Sequence, residues 1–227
     1  MIITKDQINT LEKTTGFLAL EGVNGAGKST LLVEIEKFLK GNDSDFILTK
    51  EPGGSPTIGA EVRKLLLNNK ESISELGELL LFAADRAEHV EQVIKPALAE
   101  QKIVLTDRYF YSTLAFQGYG RGLNLEHIAT LNELAVQGIK PDLVILLDLD
   151  PEVGLSRNQS ANKSRDSFEE ETLEFHQKIR NGFLEVAKNS PDNFIIISAE
   201  QEQEQVKSEA IEIMNLYIDR RNANHRS

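Results

Sequence analysis

The chain has 227 residues, of which 40% are hydrophobic and 27% charged, so its length and composition are those of one soluble α/β domain. It contains no cysteine, which excludes disulfides, zinc–thiolate sites and a cysteine nucleophile. Its net charge of −11 argues against binding to nucleic acid polymers, because a protein needs a basic face to contact their phosphate backbone. No apolar run approaches the roughly 20 residues of a membrane helix, and the polar N-terminus lacks an apolar signal core, so we expect a cytoplasmic chain that binds no membrane.

Predicted strands and helices alternate along the chain. Residues 1–15 are expected to be an extension, either a short helix or disordered, whose deletion would be nearly silent; one domain follows over 16–221, and 222–227 form a C-terminal tail. Short apolar runs predict buried strands at 17–21, 46–50, 102–107, 142–150 and 194–198. Apolar periodicity predicts helices at 30–40, 57–67, 74–94 and 202–221. Pro96 is expected to kink the third of these helices or to start a new turn.

This alternation predicts an α/β fold, in which a five-stranded parallel sheet is covered by helices on both faces. In such sheets, ligands bind beyond the carboxyl ends of the strands. The motifs described next follow predicted strands, so we expect them to meet at that edge of the sheet.

The stretch EGVNGAGKST at 21–30 matches the pattern GxxxxGK(S/T) and lies between a predicted strand and a predicted helix. Backbone N–H groups of such a loop converge on phosphate oxygens, the helix N-terminus adds a positive dipole, and Lys28 is expected to reach the β- and γ-phosphates. The Ser29 hydroxyl is the expected Mg²⁺ ligand. The pattern therefore predicts ATP binding by Gly22, Val23, Asn24, Gly25, Ala26, Gly27, Lys28, Ser29 and Thr30.

Among proteins with such a loop, the sequence favours a small-molecule kinase. A switch GTPase needs DxxG and NKxD motifs, and neither occurs; the nearest string, Asn162-Lys-Ser-Arg, lacks the aspartate. A motor or transporter ATPase needs more chain than this one provides. The length and the single glycine loop therefore point to transfer of phosphate onto a small acceptor.

Two stretches after the second predicted strand carry candidate acceptor-binding groups. In KEPGGSPTIGAEVRKLLL (50–67), Glu51 starts a turn where it can hold Mg²⁺-bound water or a sugar hydroxyl, and Arg63 lies on the next helix; a solvated turn and an exposed helix charge are the alternatives. In LLFAADRAEH (80–89), Phe82 and Arg86 share one helix face, so a ring can stack on a base while the guanidinium binds its edge. Taken by itself, this second stretch favours a core Phe and a solvated Arg.

The stretch LTDRYFYSTLAFQGYGRG (105–122) follows the third predicted strand. Asp107 ends the apolar run, where an acid can hold Mg²⁺ or accept a hydrogen bond from a hydroxyl, and Arg108 suits bidentate phosphate binding. Short hydrogen-bonding side chains follow between aromatic residues: Ser112, Thr113 and Gln117. The alternative interpretation is a polar helix start with an aromatic core face.

In this order, FLALEGVNGAGKST, EPGG, LLFAADRAEH, DRYFYSTLAFQGYGRG and PDLVILLDLDPEVGLSR resemble bacterial thymidylate kinases over about residues 16–215. The resemblance implies a P-loop nucleoside-monophosphate kinase fold with a mobile lid, usually a homodimer. It also implies phosphorylation of dTMP by ATP, with Mg²⁺, for dTTP synthesis. A kinase for another pyrimidine nucleotide, such as dUMP or CMP, and a nucleotide-binding regulator that has lost catalysis are the alternatives.

The resemblance also implies residue roles. Phe82 would stack on thymine, while Arg86 and Gln117 would read the base edge. Further roles implied in this way are those of Ser112 and Thr113 near the ring nitrogen, Arg108 and Arg63 on the acceptor phosphate, and Glu51 and Asp107 around Mg²⁺ and water.

The chain departs from the family pattern in the cations near ATP and at Asn24. Some members carry an Arg in the glycine loop where this chain has Gly25, so the charge is expected from a lid at about 154–168, with Arg157, Lys163 and Arg165. Where the family has Asp-Arg, an apolar residue and Glu, this chain reads Arg165-Asp166-Ser167-Phe168-Glu169, which leaves open whether Arg157 or Arg165 acts. The family commonly has an acid at position 24, and Asn24 can still accept a hydrogen bond, without charge.

Overall fold

Five parallel strands form one sheet in the part of the chain that the computed structural model describes, residues 1–12, 14–68, 73–160 and 167–226. In chain order they are β1 (Phe17–Gly22), β2 (Phe46–Lys50), β3 (Ile103–Asp107), β4 (Leu143–Asp148) and β5 (Phe194–Ser198). The spatial order is β2-β3-β1-β4-β5. Strand β1 lies at the centre, where Leu18 pairs with Leu105 of β3 and Leu143 of β4. The predicted five-stranded parallel sheet is therefore confirmed.

Helices connect and cover the strands. They are α1 (Lys28–Gly41), α2 (Gly59–Asn68), α3 (Glu75–His89), α4 (Lys95–Ala99), α5 (Phe110–Thr113), α6 (Leu125–Val136), α7 (Pro151–Ser160), α8 (Leu173–Asn189) and α9 (Gln203–Arg226). Every side chain of β1 is buried, because helices cover both faces of the sheet, and this explains its unbroken apolar run. In the described residues, no helix is both long enough and apolar enough to cross a membrane.

Two helices differ from their predicted ends for identifiable reasons. The helix predicted at 74–94 passes from α3 through a π-helical turn, Val90–Ile94, into α4, where Pro96 occupies the first turn. Proline has no N–H to donate, so the regular helical bonding pattern changes there. The last helix runs on to Arg226, through most of the segment that we expected as a tail, and Asn224 donates to Thr14 at 2.9 Å.

The first residues pack on the domain. Residues 1–3 run parallel to β5, with Ile3 N–H donating to the Phe194 carbonyl at 2.8 Å, and so cover an otherwise open sheet edge. A 3₁₀ helix, Lys5–Thr10, follows and lies on α9, with Ile8 fully buried. The expectation that deleting this segment is nearly silent therefore does not fit its burial.

Candidate active site

Two cavities open at the carboxyl edge of the sheet and meet there. The larger, of about 620 Å³, is lined by the glycine loop, the start of α1 and the segment from β5 into α9. The smaller, of about 110 Å³, is lined by the turn after β2, α3 and the segment after β3. Asn24, Arg63, Asp107 and Arg108 line both cavities. A group transferred from one cavity to the other would pass these four side chains.

The glycine loop is held tightly against the start of α7. Gly25 has φ +78°, and a Cβ atom there would lie 2.2 Å from the Gly154 carbonyl oxygen, so an Arg at this position would collide with backbone. Lys28 is buried, and its Nζ donates to the carbonyls of Gly22 and Val23 at 3.0 and 3.1 Å. The Lys28 side chain therefore folds back onto the start of the glycine loop, beside the N-terminus of α1, and this end of a helix favours an anion.

Arg108 joins the glycine loop to the segment after β3. Its Nη1 donates to the Gly22 carbonyl at 2.9 Å and to Ser112 Oγ at 3.0 Å, and its Nη2 donates to Asn24 Oδ1 at 2.7 Å. Its guanidinium also lies 5.0 Å from the centre of the Phe116 ring. Asn24 therefore positions Arg108 through its carbonyl oxygen, a contact for which a negative charge is not required.

Glu21 supports Arg108 and was missed by sequence reasoning, which treated it as the last residue of an apolar strand. Its fully buried carboxylate accepts from Ser112 Oγ at 2.6 Å and from the Tyr109 N–H at 2.8 Å, and it lies 3.9 Å from Arg108 Nη1. Burial raises the pKa of Glu21 to about 7, and the Arg108 charge opposes that rise. A charged residue inside a buried strand, next to the glycine loop, was the available signal.

Asp107 and Ser29 fit Mg²⁺ better than Glu51 does. The buried Oδ1 of Asp107 has no hydrogen-bond partner among the described residues, although Asp107 borders both cavities, and Ser29 lines the larger one. A buried carboxylate oxygen without a partner is what a cation or its water would satisfy. Both oxygens of Glu51 instead accept from protein groups, namely Arg86 Nε at 2.8 Å and His89 Nδ1 at 2.9 Å.

Arg86 is buried inside the smaller cavity wall rather than solvated. Only 1% of it is exposed, and it donates to Glu51 through Nε, to Asn132 Oδ1 through Nη1 at 2.9 Å, and to Thr113 Oγ1 through Nη2 at 3.0 Å. These bonds use three of its five N–H groups and leave two for a ligand. The solvated interpretations of Arg86 and Glu51 are therefore wrong.

Aromatic rings form another wall of the smaller cavity. Phe82 lies 6.1 Å from Phe168 between ring centres, and Phe116 lies 5.5 Å from Phe168 at 86°. Phe168 is the last residue of the expected lid and was not predicted to line this cavity. The neighbouring Ser167 explains its placement, because Ser167 Oγ donates to the carbonyl of Leu66 at 2.7 Å and so docks the segment on the end of α2.

Gln117 and Arg63 both border the cavities. Gln117 is 1% exposed, lines the smaller cavity and donates from Nε2 to Glu78 Oε1 at 2.8 Å. Arg63 donates to the Pro52 carbonyl at 2.7 Å and borders both cavities. Sequence reasoning missed Glu78, which lies on α3 far from Gln117 in the chain.

Part of the expected lid lies outside the described residues, including Lys163 and Arg165. Of the described part, residues 154–160 belong to α7, and Ser167 and Phe168 form its other end. Arg157 on this helix lines the larger cavity, and its Nη1 donates to the Ala199 carbonyl at 3.1 Å. Arg157 is thus the expected lid cation that the described residues place beside the glycine loop.

Comparisons with known proteins identify the family of this chain. The family profile described as "Thymidylate kinase" matches residues 20–210. Thymidylate kinase from Desulfovibrio desulfuricans is 42% identical over 212 residues, covering 90% of this chain and 97% of that protein, and the enzyme of that name from Geotalea daltonii is 47% identical over 188 residues, covering 80% and 87%. The crystal structure of thymidylate kinase from Ehrlichia chaffeensis superposes with a TM-score of 0.70 at 32% identity, covering 87% of this chain and 97% of that one. The chain therefore belongs to the thymidylate kinase family.

Proposed function

We propose that this enzyme transfers the γ-phosphoryl group of ATP to dTMP, producing dTDP for dTTP synthesis. One observation supports this most directly: a glycine-loop cavity and an aromatic, arginine-lined cavity meet at Asn24, Arg63, Asp107 and Arg108. Two nucleotides bound there would point their phosphates at each other. Such transfer needs positioning and charge neutralisation, and no covalent enzyme intermediate.

The larger cavity is assigned to ATP. The loop of residues 22–30 and the N-terminus of α1 surround its phosphates, and Lys28 neutralises charge on the β- and γ-phosphates. Arg157 adds a cation from α7, and a lid at about 154–168, with Arg165, closes over the nucleotide and excludes water. Mg²⁺, held by Ser29 and Asp107, would neutralise phosphate charge during transfer when bound.

The smaller cavity is assigned to dTMP. Phe82 stacks on the base, and the two remaining N–H groups of Arg86 donate to a carbonyl on its edge. Gln117, Thr113 and Ser112 complete the base contacts. Because both Glu51 oxygens hold Arg86 and His89, we assign Glu51 to positioning Arg86 and not to Mg²⁺.

The acceptor phosphate lies at the junction of the cavities, held by two arginines. Arg108 points into the junction with its guanidinium fixed by Gly22, Asn24 and Ser112. Arg63 adds a second charge from α2. A guanidinium binds a phosphate through two parallel N–H bonds, which sets the direction in which the acceptor oxygen faces ATP.

We further propose a homodimer that acts in the cytoplasm on free nucleotides. Exposed leucines on three adjacent helices support self-association. Helix α3 carries two of them, one turn apart, and α2 and α6, which both pack against α3, carry one each. They are Leu65, Leu76, Leu80 and Leu134. Sedimentation of the wild-type chain and of Leu80→Glu tests this, with a dimer and a weakened dimer expected; a monomeric wild type would contradict it.

A coupled assay of ADP production tests the proposed activity over dTMP, dUMP, CMP, UMP and AMP. We expect multiple turnovers that depend on dTMP and on Mg²⁺, which would also exclude a regulator without catalysis. A clear preference for CMP would instead identify a kinase for another pyrimidine nucleotide. Binding of dTMP without turnover would leave only the regulator.

A further inference from the structure

We infer that Glu78 sets the orientation of the Gln117 amide and thereby makes the acceptor cavity select a pyrimidine with a 4-oxo group over one with a 4-amino group. This inference rests on the proposed function, in which the smaller cavity holds the acceptor base. Glu78 would be a positioning residue, since it acts through Gln117.

The Gln117 amide is constrained on one side. Both Gln117 and Glu78 are buried, and Nε2 of Gln117 lies 2.8 Å from Glu78 Oε1. An ionised carboxylate offers acceptors only, so the amide must present its N–H group to it. The flipped amide would place two oxygens against each other in a buried site, without a proton between them.

Arg121 keeps the carboxylate in place. Its Nη2 lies 3.3 Å from Glu78 Oε2, and its Nε lies 3.4 Å from Oε1, so the guanidinium faces both oxygens. Arg121 is held in turn by an ion pair with Glu171 and by the Phe175 ring, whose centre is 4.6 Å from the guanidinium carbon. Arg121 therefore holds the Glu78 carboxylate in position next to Gln117.

With Nε2 held by Glu78, the carbonyl oxygen of Gln117 is the amide's acceptor for a ligand, and the second N–H of Nε2 remains as a donor. Together with the two remaining N–H groups of Arg86, the cavity wall offers one acceptor beside donors. Thymine and uracil present an N3–H donor beside an O4 acceptor, which complements this wall. Cytosine presents an N3 acceptor beside an amino donor, which opposes it at both atoms.

Replacing Glu78 by Gln tests the inference, because glutamine can donate or accept and so permits either orientation of the Gln117 amide. We expect the ratio of kcat/KM for dTMP to that for dCMP to fall about tenfold, the effect of one buried hydrogen bond. The matched control is Glu171→Gln, which also removes an anionic partner of Arg121 but does not touch Gln117. The control should keep the wild-type ratio.

A second variant, Glu78→Asp, keeps the charge for Arg121 but withdraws the carboxylate from Gln117, and it should also lower the ratio. It serves as the test if Glu78→Gln does not fold. A ratio that changes no more in the Glu78 variants than in Glu171→Gln would overturn the inference. Wild-type enzyme that fails to phosphorylate dTMP would overturn the proposed function instead, so the two failures are distinguishable.

Discussion

Replacing Glu21 by Gln should remove a pH dependence of stability that the wild type has. Burial raises the pKa of Glu21 from 4.5 to about 7, so the folded chain binds its proton more tightly than the unfolded chain does. The stability from the protonated form is complete below pH 4.5 and is lost as pH rises through 7. A shift of about 2.5 units, at about 1.4 kcal/mol each, corresponds to about 3 kcal/mol.

Urea unfolding of both proteins at intervals from pH 4.5 to pH 8 measures this difference. The free energy of unfolding of the wild type should fall by about 3 kcal/mol relative to Glu21→Gln over that interval. Glu61→Gln, at an exposed position on α2, is the control and should run parallel to the wild type. A wild-type-minus-Glu21→Gln difference that stays flat with pH would refute the buried, proton-binding Glu21 described above.

Two further substitutions test the packing around the site. Phe168→Ala removes a buried ring from the smaller cavity, so it should lower the free energy of unfolding by about 3 kcal/mol. It should also raise the KM for dTMP more than the KM for ATP. Equal changes in both KM values would argue against the place of Phe168 in that cavity. Ile8→Ala truncates a fully buried side chain of the N-terminal segment itself, so it should lower the free energy of urea unfolding by about 2 to 4 kcal/mol with little effect on either KM. An unchanged urea midpoint would mean that this segment does not support the fold.

Local sequence patterns were sufficient for the sheet and for one half of the site. The strands were recognisable because a sheet covered on both faces needs unbroken apolar runs. The glycine loop was recognisable because all the residues of its phosphate-binding pattern lie within ten consecutive positions. Asp107 and Arg108 were found from the rule that ligands bind at the carboxyl ends of parallel strands. These features depend on residues close to one another in the chain.

Contacts between distant segments were not predictable in this way. Glu51 was assigned to a turn, yet its partners Arg86 and His89 come from α3, more than thirty positions away. Phe168 lines the smaller cavity, and Glu78 contacts Gln117 in its wall, only because α3, the segment after β3 and the end of the expected lid converge there. Periodicity identifies the face of a helix that is buried, but it does not identify the side chain that it meets.

Arg108→Met tests most directly whether Arg108 binds the acceptor phosphate opposite the glycine loop. We expect dTMP-dependent ADP production to fall at least about 100-fold, while calorimetry shows weakened dTMP binding and retained ATP binding. Unchanged turnover in Arg108→Met, or no dTMP uptake by the wild type, would contradict the account.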